Sequence, residues 1–94
     1  MRSTYKPCNP RITCVDGFSL SIQGSEYTYC SPREDSGPYR EVEVGFPSAD
    51  PGLEIMQYCE NRENPTETVY GYVPVDVVDR IIAAHGGIKE GKMP

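Results

Sequence analysis

The residues of this 94-residue chain that could do chemistry are four cysteines, one histidine and fourteen carboxylates. Cys8, Cys14, Cys30 and Cys59 are separated by 6, 16 and 29 positions. A zinc site needs two ligands presented by one tight turn, which reads in sequence as a close pair of cysteines two to four residues apart. No such pair is present, so the spacing predicts small buried or half-buried thiols and no metal or other cofactor. His85 is the only histidine. It falls where an apolar helical pattern ends, and an imidazole there can bond free carbonyls and meet the negative end of the helix dipole. A general base needs an orienting partner within hydrogen-bond reach, and nothing local to His85 supplies one, although a Cys–His pair stays open. Glu41 and Glu43 share one face of an alternating segment, as a paired acid–base or cation site would. The same alternation is what an amphipathic strand requires of its solvent face, and the carboxylates are read in that way. No phosphate-cradling glycine loop, nucleophile elbow or HExxH motif occurs. With no nucleophile–base pair and no metal set to name, the expected function is binding without catalysis.

The elements that must position these residues are legible in part. Ninety-four residues make one domain. Residues 1–11 hold two prolines and read as an irregular arm. Ile12 to Val15 is a short strand, Asp16-Gly17 a hairpin turn, and Phe18-Ser-Leu20-Ser-Ile22 a half-buried strand. Glu26 to Cys30 alternates as a further strand. Residues 31–38 form a loop marked by two prolines and a glycine. Tyr39 to Phe46 is the clearest strand, with Val42, Val44 and Phe46 on one face. Asp50-Pro51 opens a short helix to about Glu60, with Leu53, Met56 and Tyr58 as its apolar stripe. Thr68 to Val73 is a strand whose Gly71 signals a bulge or a close backbone approach. Val75 to His85 is a helix with Pro74 at its start, a Val78-Ile81-Ile82 stripe, and Gly86-Gly87 as its stop, after which Ile88 folds back on the last turn. Residues 89–94 are expected to fray. The fold class is α+β: a small, mostly antiparallel sheet of four or five strands, with the short helix and with the C-terminal helix packed on one face. The opposite face is expected to be polar and tyrosine-bearing.

Charge narrows the choice of partner. Residues 1–25 are net +2, residues 26–79 carry twelve acids against Arg33, Arg40 and Arg62 for a net −9, and residues 80–94 are net +2. Phosphate backbones call for clustered Lys and Arg, so direct nucleic-acid binding is not expected. A basic protein surface suits an acidic centre. No apolar run approaches a membrane span, and the N-terminus MRSTYKPCNPRITC lacks the apolar stretch of a secretory signal. The expectation is a cytoplasmic protein with reduced thiols.

Two stretches carry a family likeness. One is Tyr29-Cys-Ser-Pro-Arg33 running on to Gly37-Pro-Tyr39 and Val42-Glu-Val-Gly-Phe-Pro-Ser48. The other is Pro65-Thr-Glu-Thr-Val-Tyr-Gly-Tyr-Val-Pro-Val75, followed by the helix ending His85-Gly-Gly-Ile88. Their phrasing over residues 12–88 resembles small, largely uncharacterised accessory proteins of tailed phages and prophages. The resemblance transfers no catalytic residue. It implies a protein that acts inside the host cell by binding and inhibiting a host protein, in the manner of anti-CRISPR and other anti-defence proteins. Within that reading the contact surface is the loop 31–40 with the strand 39–46, namely Arg33, Tyr39, Arg40, Glu41 and Glu43. Two alternatives remain: a nucleotide-sequestering protein that uses Arg33 and Arg40, and a structural or assembly protein of the virion. Either would fit a homo-oligomer.

Overall fold

A computed structural model describes residues 9–25, 27–34 and 37–94. The arm expected at residues 1–11 therefore lies mostly outside the described residues, as do Glu26, Asp35 and Ser36. The strands are β1 (Ile12–Cys14), β2 (Ser19–Gln23), β3 (Glu41–Gly45), β4 (Val69–Pro74) and β5 (Ile88–Glu90). The helices are a 3₁₀ turn at Glu54–Tyr58 and α1 at Val75–Ala84. The sheet order is β4-β3-β2-β1-β5, and every neighbouring pair is antiparallel.

Alternation dictates which side of each strand is buried. In β2, Leu20 and Ile22 are buried while Ser19, Ser21 and Gln23 are half-exposed. In β3, the buried Val42 and Val44 alternate with the half-buried Glu41 and Glu43. A one-residue slip would bury both glutamates, so the register is strongly specified. The Asp16-Gly17 turn joins β1 to β2, with Gly17 at φ 96° and the Asp16 carboxylate accepting from Phe18 N–H at 2.9 Å.

The buried sheet residues form one cluster with Val77, Val78, Ile81 and Ile82 of α1, Ile55 of the 3₁₀ turn, and Phe18, Cys30 and Tyr39 from loops. Each fully buried aliphatic side chain contributes about 1.5–3 kcal/mol. Because β4 and β5 are the two edges, α1 has to carry the chain across the whole core face of the sheet. Its first free N–H, that of Val75, is satisfied by the Arg40 carbonyl at 2.9 Å. Gly86 and Gly87, at φ 90° and 92°, turn the chain back into β5.

Five expectations are corrected. Residues 27–30 form turns, not a strand. Ser25 N–H donates to Thr28 Oγ1 at 2.9 Å and Thr28 N–H to the Ser25 carbonyl at 3.3 Å. Such local bonds offer the backbone an alternative to a sheet ladder. The helix expected from Pro51 is only the 3₁₀ turn. Asp50 Oδ1 accepts from Gly52 N–H, and Gly52 sits at φ 96°, which delays the helical start. Its buried residue is Ile55, while Leu53 is 91% exposed. Phe46 does not join Val42 and Val44, because its φ of 50° turns the side chain outward. Ile88 opens β5 instead of folding onto α1. The tail is likewise not free: residues 88–90 pair with β1 and Met93 packs against the core. Gly91 runs so close to β1 that a Cβ there would lie 2.9 Å from the Arg11 carbonyl.

Candidate functional site on the outer sheet face

The register of β3 and β4 holds one irregularity. Val42 pairs with Val73 and Val44 with Tyr70, which leaves the single residue Glu43 opposite Gly71 and Tyr72. This is a β-bulge, a device that re-aims side chains and increases local twist. Tyr72 adopts φ 54°. A non-glycine residue in this region costs on the order of 1–2 kcal/mol. It persists only where its surroundings over-determine it.

The surroundings here are a segment laid across the bulge. Tyr72 N–H donates to the Tyr29 carbonyl at 2.9 Å. Tyr29 N–H in turn donates to Glu43 Oε2 at 3.2 Å. Gly71 makes the approach possible, since a Cβ there would lie 3.2 Å from Tyr29 Cβ. The Tyr29 and Tyr72 rings pack with centroids 5.9 Å apart and a tilt of 32°. As residues, Tyr29 and Tyr72 remain about two-fifths exposed, at 43% and 42%. Two phenol rings and a carboxylate thus converge on one bulge.

The rest of this face is polar. Gln23 takes the Asn9 N–H on Oε1 at 2.7 Å and donates from Nε2 to the Asn9 carbonyl and to Ser21 Oγ, each at 2.9 Å. Arg11 Nε donates to Ser19 Oγ at 3.1 Å, and its Nη2 reaches the Ser19 and Phe46 carbonyls. Phe46 is 49% exposed. Among the described residues, Phe46 and Tyr72 are the two non-glycines at positive φ, and both are outward-facing aromatics.

The residues anticipated for the contact surface divide. Arg33 and Arg40 are exposed, and Arg40 Nη2 donates to Ser31 Oγ at 3.0 Å. Glu41 and Glu43 are half-buried on the outer face of β3. Tyr39 is not on the surface. It is 8% exposed, its ring packs where a Cβ on Gly24 would lie 2.6 Å away, and its hydroxyl donates to the Glu34 carbonyl at 2.7 Å. A tyrosine filling a glycine's vacant side is core packing, so Tyr39 belongs to the core and not to the exposed surface on which the sequence placed it. Comparison with family models, curated proteins and solved structures finds no match. The site therefore rests on its own geometry. Sequence reasoning missed Tyr29 and Tyr72 as a pair. The available signal was Gly71 inside a strand, which marks a bulge or a close backbone approach, and the structure has both there, without naming what approaches.

His85 forms a second, separate constellation. Its backbone caps α1 by donating to the Ala83 and Ile82 carbonyls. Its ring does not bond the helix end. Nδ1 lies 2.6 Å from Asp16 Oδ2, and the imidazole stacks on Phe18 at 4.0 Å and 9°. The orienting partner that the sequence did not reveal is therefore Asp16, 69 residues away. The Asp16 carboxyl is held below its ordinary value by the Phe18 N–H first and the His85 ring next. Beside His85 runs a shallow groove of about 210 Å³, lined also by Leu53, Glu54, Arg80 and Ala84. Among the described residues that line it there is no hydroxyl or thiol nucleophile. Cys14 is fully buried, and both burial and the neighbouring Asp16 push its thiol up, which keeps it protonated and unreactive. Cys14, Cys30 and Cys59 are free thiols. Among the described residues, no three His, Cys, Asp or Glu side chains converge as metal ligands. No helix among them is long and apolar enough to cross a membrane.

Proposed function

We propose that this protein acts by non-catalytic binding of another protein, and that its contact surface is the outer sheet face around Tyr29, Tyr72, Glu43 and Glu41. The observation that carries the reading is the bulge itself. Tyr72 is held at φ 54° and yet stays two-fifths exposed, so the strained residue presents an aromatic side chain to solvent and does not bury it in the core. Tyrosine rings beside a polar rim are the usual anchors of protein interfaces. The resemblance to phage accessory proteins supports a host protein as the partner, the host cytoplasm as the place of action, and inhibition as the outcome. The net charge of −5 supports a partner with a basic surface.

Three immobilised baits test this against bacterial lysate: the wild type, a Tyr29→Ser/Tyr72→Gly double variant, and Arg80→Gln, which lies away from the bulge. A protein retained in stoichiometric amount by the wild type and by Arg80→Gln, but lost from the double variant, supports the reading. Equal retention on all three baits, or empty beads throughout, sinks it.

A further inference from the structure

The chemistry that converges on the bulge names the group it would bind. Aromatic ring faces carry negative quadrupole density, which attracts cations, most strongly where a carboxylate lies alongside. Tyr29 and Tyr72 present two half-exposed rings, and Glu43 reaches the same point through its bond to Tyr29 N–H. The rings touch each other at 5.9 Å, so they do not sandwich a ligand. A guest lies against their open faces, within reach of the carboxylate. Resting on the binding function proposed above, we infer that Glu43, Tyr29 and Tyr72 form a recognition site for a single cationic side chain, an arginine or lysine, of the partner protein.

The complementarity is local as well as global. Glu43 sits on the outer face at the bulge, where the β3–β4 ladder is interrupted. Its Oε2 is already turned toward the tyrosines by the Tyr29 amide. A preplaced carboxylate loses less freedom on meeting a guanidinium than a free one does. An uncharged polar guest of the same shape would gain neither the ring quadrupole nor the charge of Glu43. Discrimination between arginine and its uncharged isostere citrulline is therefore the signature of the site.

The test is a ¹H–¹⁵N titration of the whole chain with acetyl-arginine-amide and, separately, acetyl-citrulline-amide, up to about 50 mM, the range suited to one isolated side-chain contact. The expected result is movement of the Tyr29, Glu43, Gly71 and Tyr72 amides with arginine and not with citrulline. Glu43→Gln keeps an acceptor for the Tyr29 N–H and should weaken the response about fivefold or more. Tyr72→Gly keeps the backbone conformation and should remove it. Equal movement with citrulline, an unchanged response in Glu43→Gln, movement centred on the acidic residues 50–79, or no movement at all would each overturn the proposal. Baits separate this from the broader reading. A partner lost from Tyr72→Gly but retained by Glu43→Gln leaves the face as the contact surface and removes the cation site. A partner retained by both variants removes the two together.

Discussion

His85 Nδ1 lies 2.6 Å from Asp16 Oδ2, joining the end of α1 to the turn between β1 and β2. Two backbone bonds run beside it, from Val15 N–H to the Gly87 carbonyl and from Asp16 N–H to the His85 carbonyl. Asp16 titrates below its ordinary 3.8 in the folded chain. A lowered carboxyl contributes stability above its unfolded value and loses it as pH falls through the folded one. The stability gap between the wild type and Asp16→Ala should therefore be widest above the ordinary carboxyl range and should narrow as pH falls below it. Denaturant melts across that range measure it, and a gap that widens toward acid refutes the assignment.

Tyr72→Gly separates stability from binding. Relief of the positive φ returns on the order of 1–2 kcal/mol. Loss of the contact with Tyr29 removes about 0.5–1.5 kcal/mol. The melting free energy should thus stay within about 1 kcal/mol of the wild type, while partner retention on beads is abolished.

Phe46 offers a sign contrast at one position. Its φ of 50° suits glycine, so Phe46→Gly should be close to neutral. Phe46→Val places a β-branched residue where such residues are genuine outliers and should cost about 1–3 kcal/mol. Thermal unfolding of both variants decides it. Equal losses would mean that the half-buried ring, not the backbone, sets the preference.

Gly24→Ala should destabilise by about 1–3 kcal/mol, since the new methyl would meet the buried Tyr39 ring at 2.6 Å. Tyr39→Leu in the same background should recover part of that loss by withdrawing the ring. A double-mutant cycle reads the coupling.

The 3₁₀ turn presents two neighbouring hydrophobes with opposite expectations. Ile55 is fully buried and Ile55→Ala should cost about 2–5 kcal/mol, while Leu53, at 91% exposure, should tolerate alanine within about 0.5 kcal/mol. Urea unfolding of the pair checks which residue anchors this segment to β4.

Much of the architecture was readable along the chain because it depends on local rules. Leu20 and Ile22, and again Val42 and Val44, alternate with polar residues, and a period of two admits one burial pattern. Val78, Ile81 and Ile82 followed by Gly86-Gly87 define a helix and its stop by spacing and backbone freedom. Asp16-Gly17 carries its turn in its own side chain and its own positive φ. Glu41 and Glu43 were placed on the outer face by the same alternation.

Other features were decided by contacts between distant segments. Tyr39 alternates as a strand residue should, yet Gly24 leaves a vacancy that draws its ring into the core. Tyr29 reads as part of a strand, yet bonds within residues 25–30 turn that segment aside and lay it over Gly71. Ile88 reads as a helix-end contact, yet the exposed edge of β1 offers a ladder that pairs with it. Asp16 and His85 meet only because α1 crosses the sheet from one edge to the other. By itself the sequence determined the fold class, the period of each main element and the polar character of the outer face, because those follow from residue type and spacing. Gly71 marked the place of the bulge in advance, but the positive φ of Tyr72 and the convergence of Tyr29 and Glu43 upon it belonged to the tertiary structure, because what lies over a bulge is set by how distant segments pack and not by the order of residues within one strand.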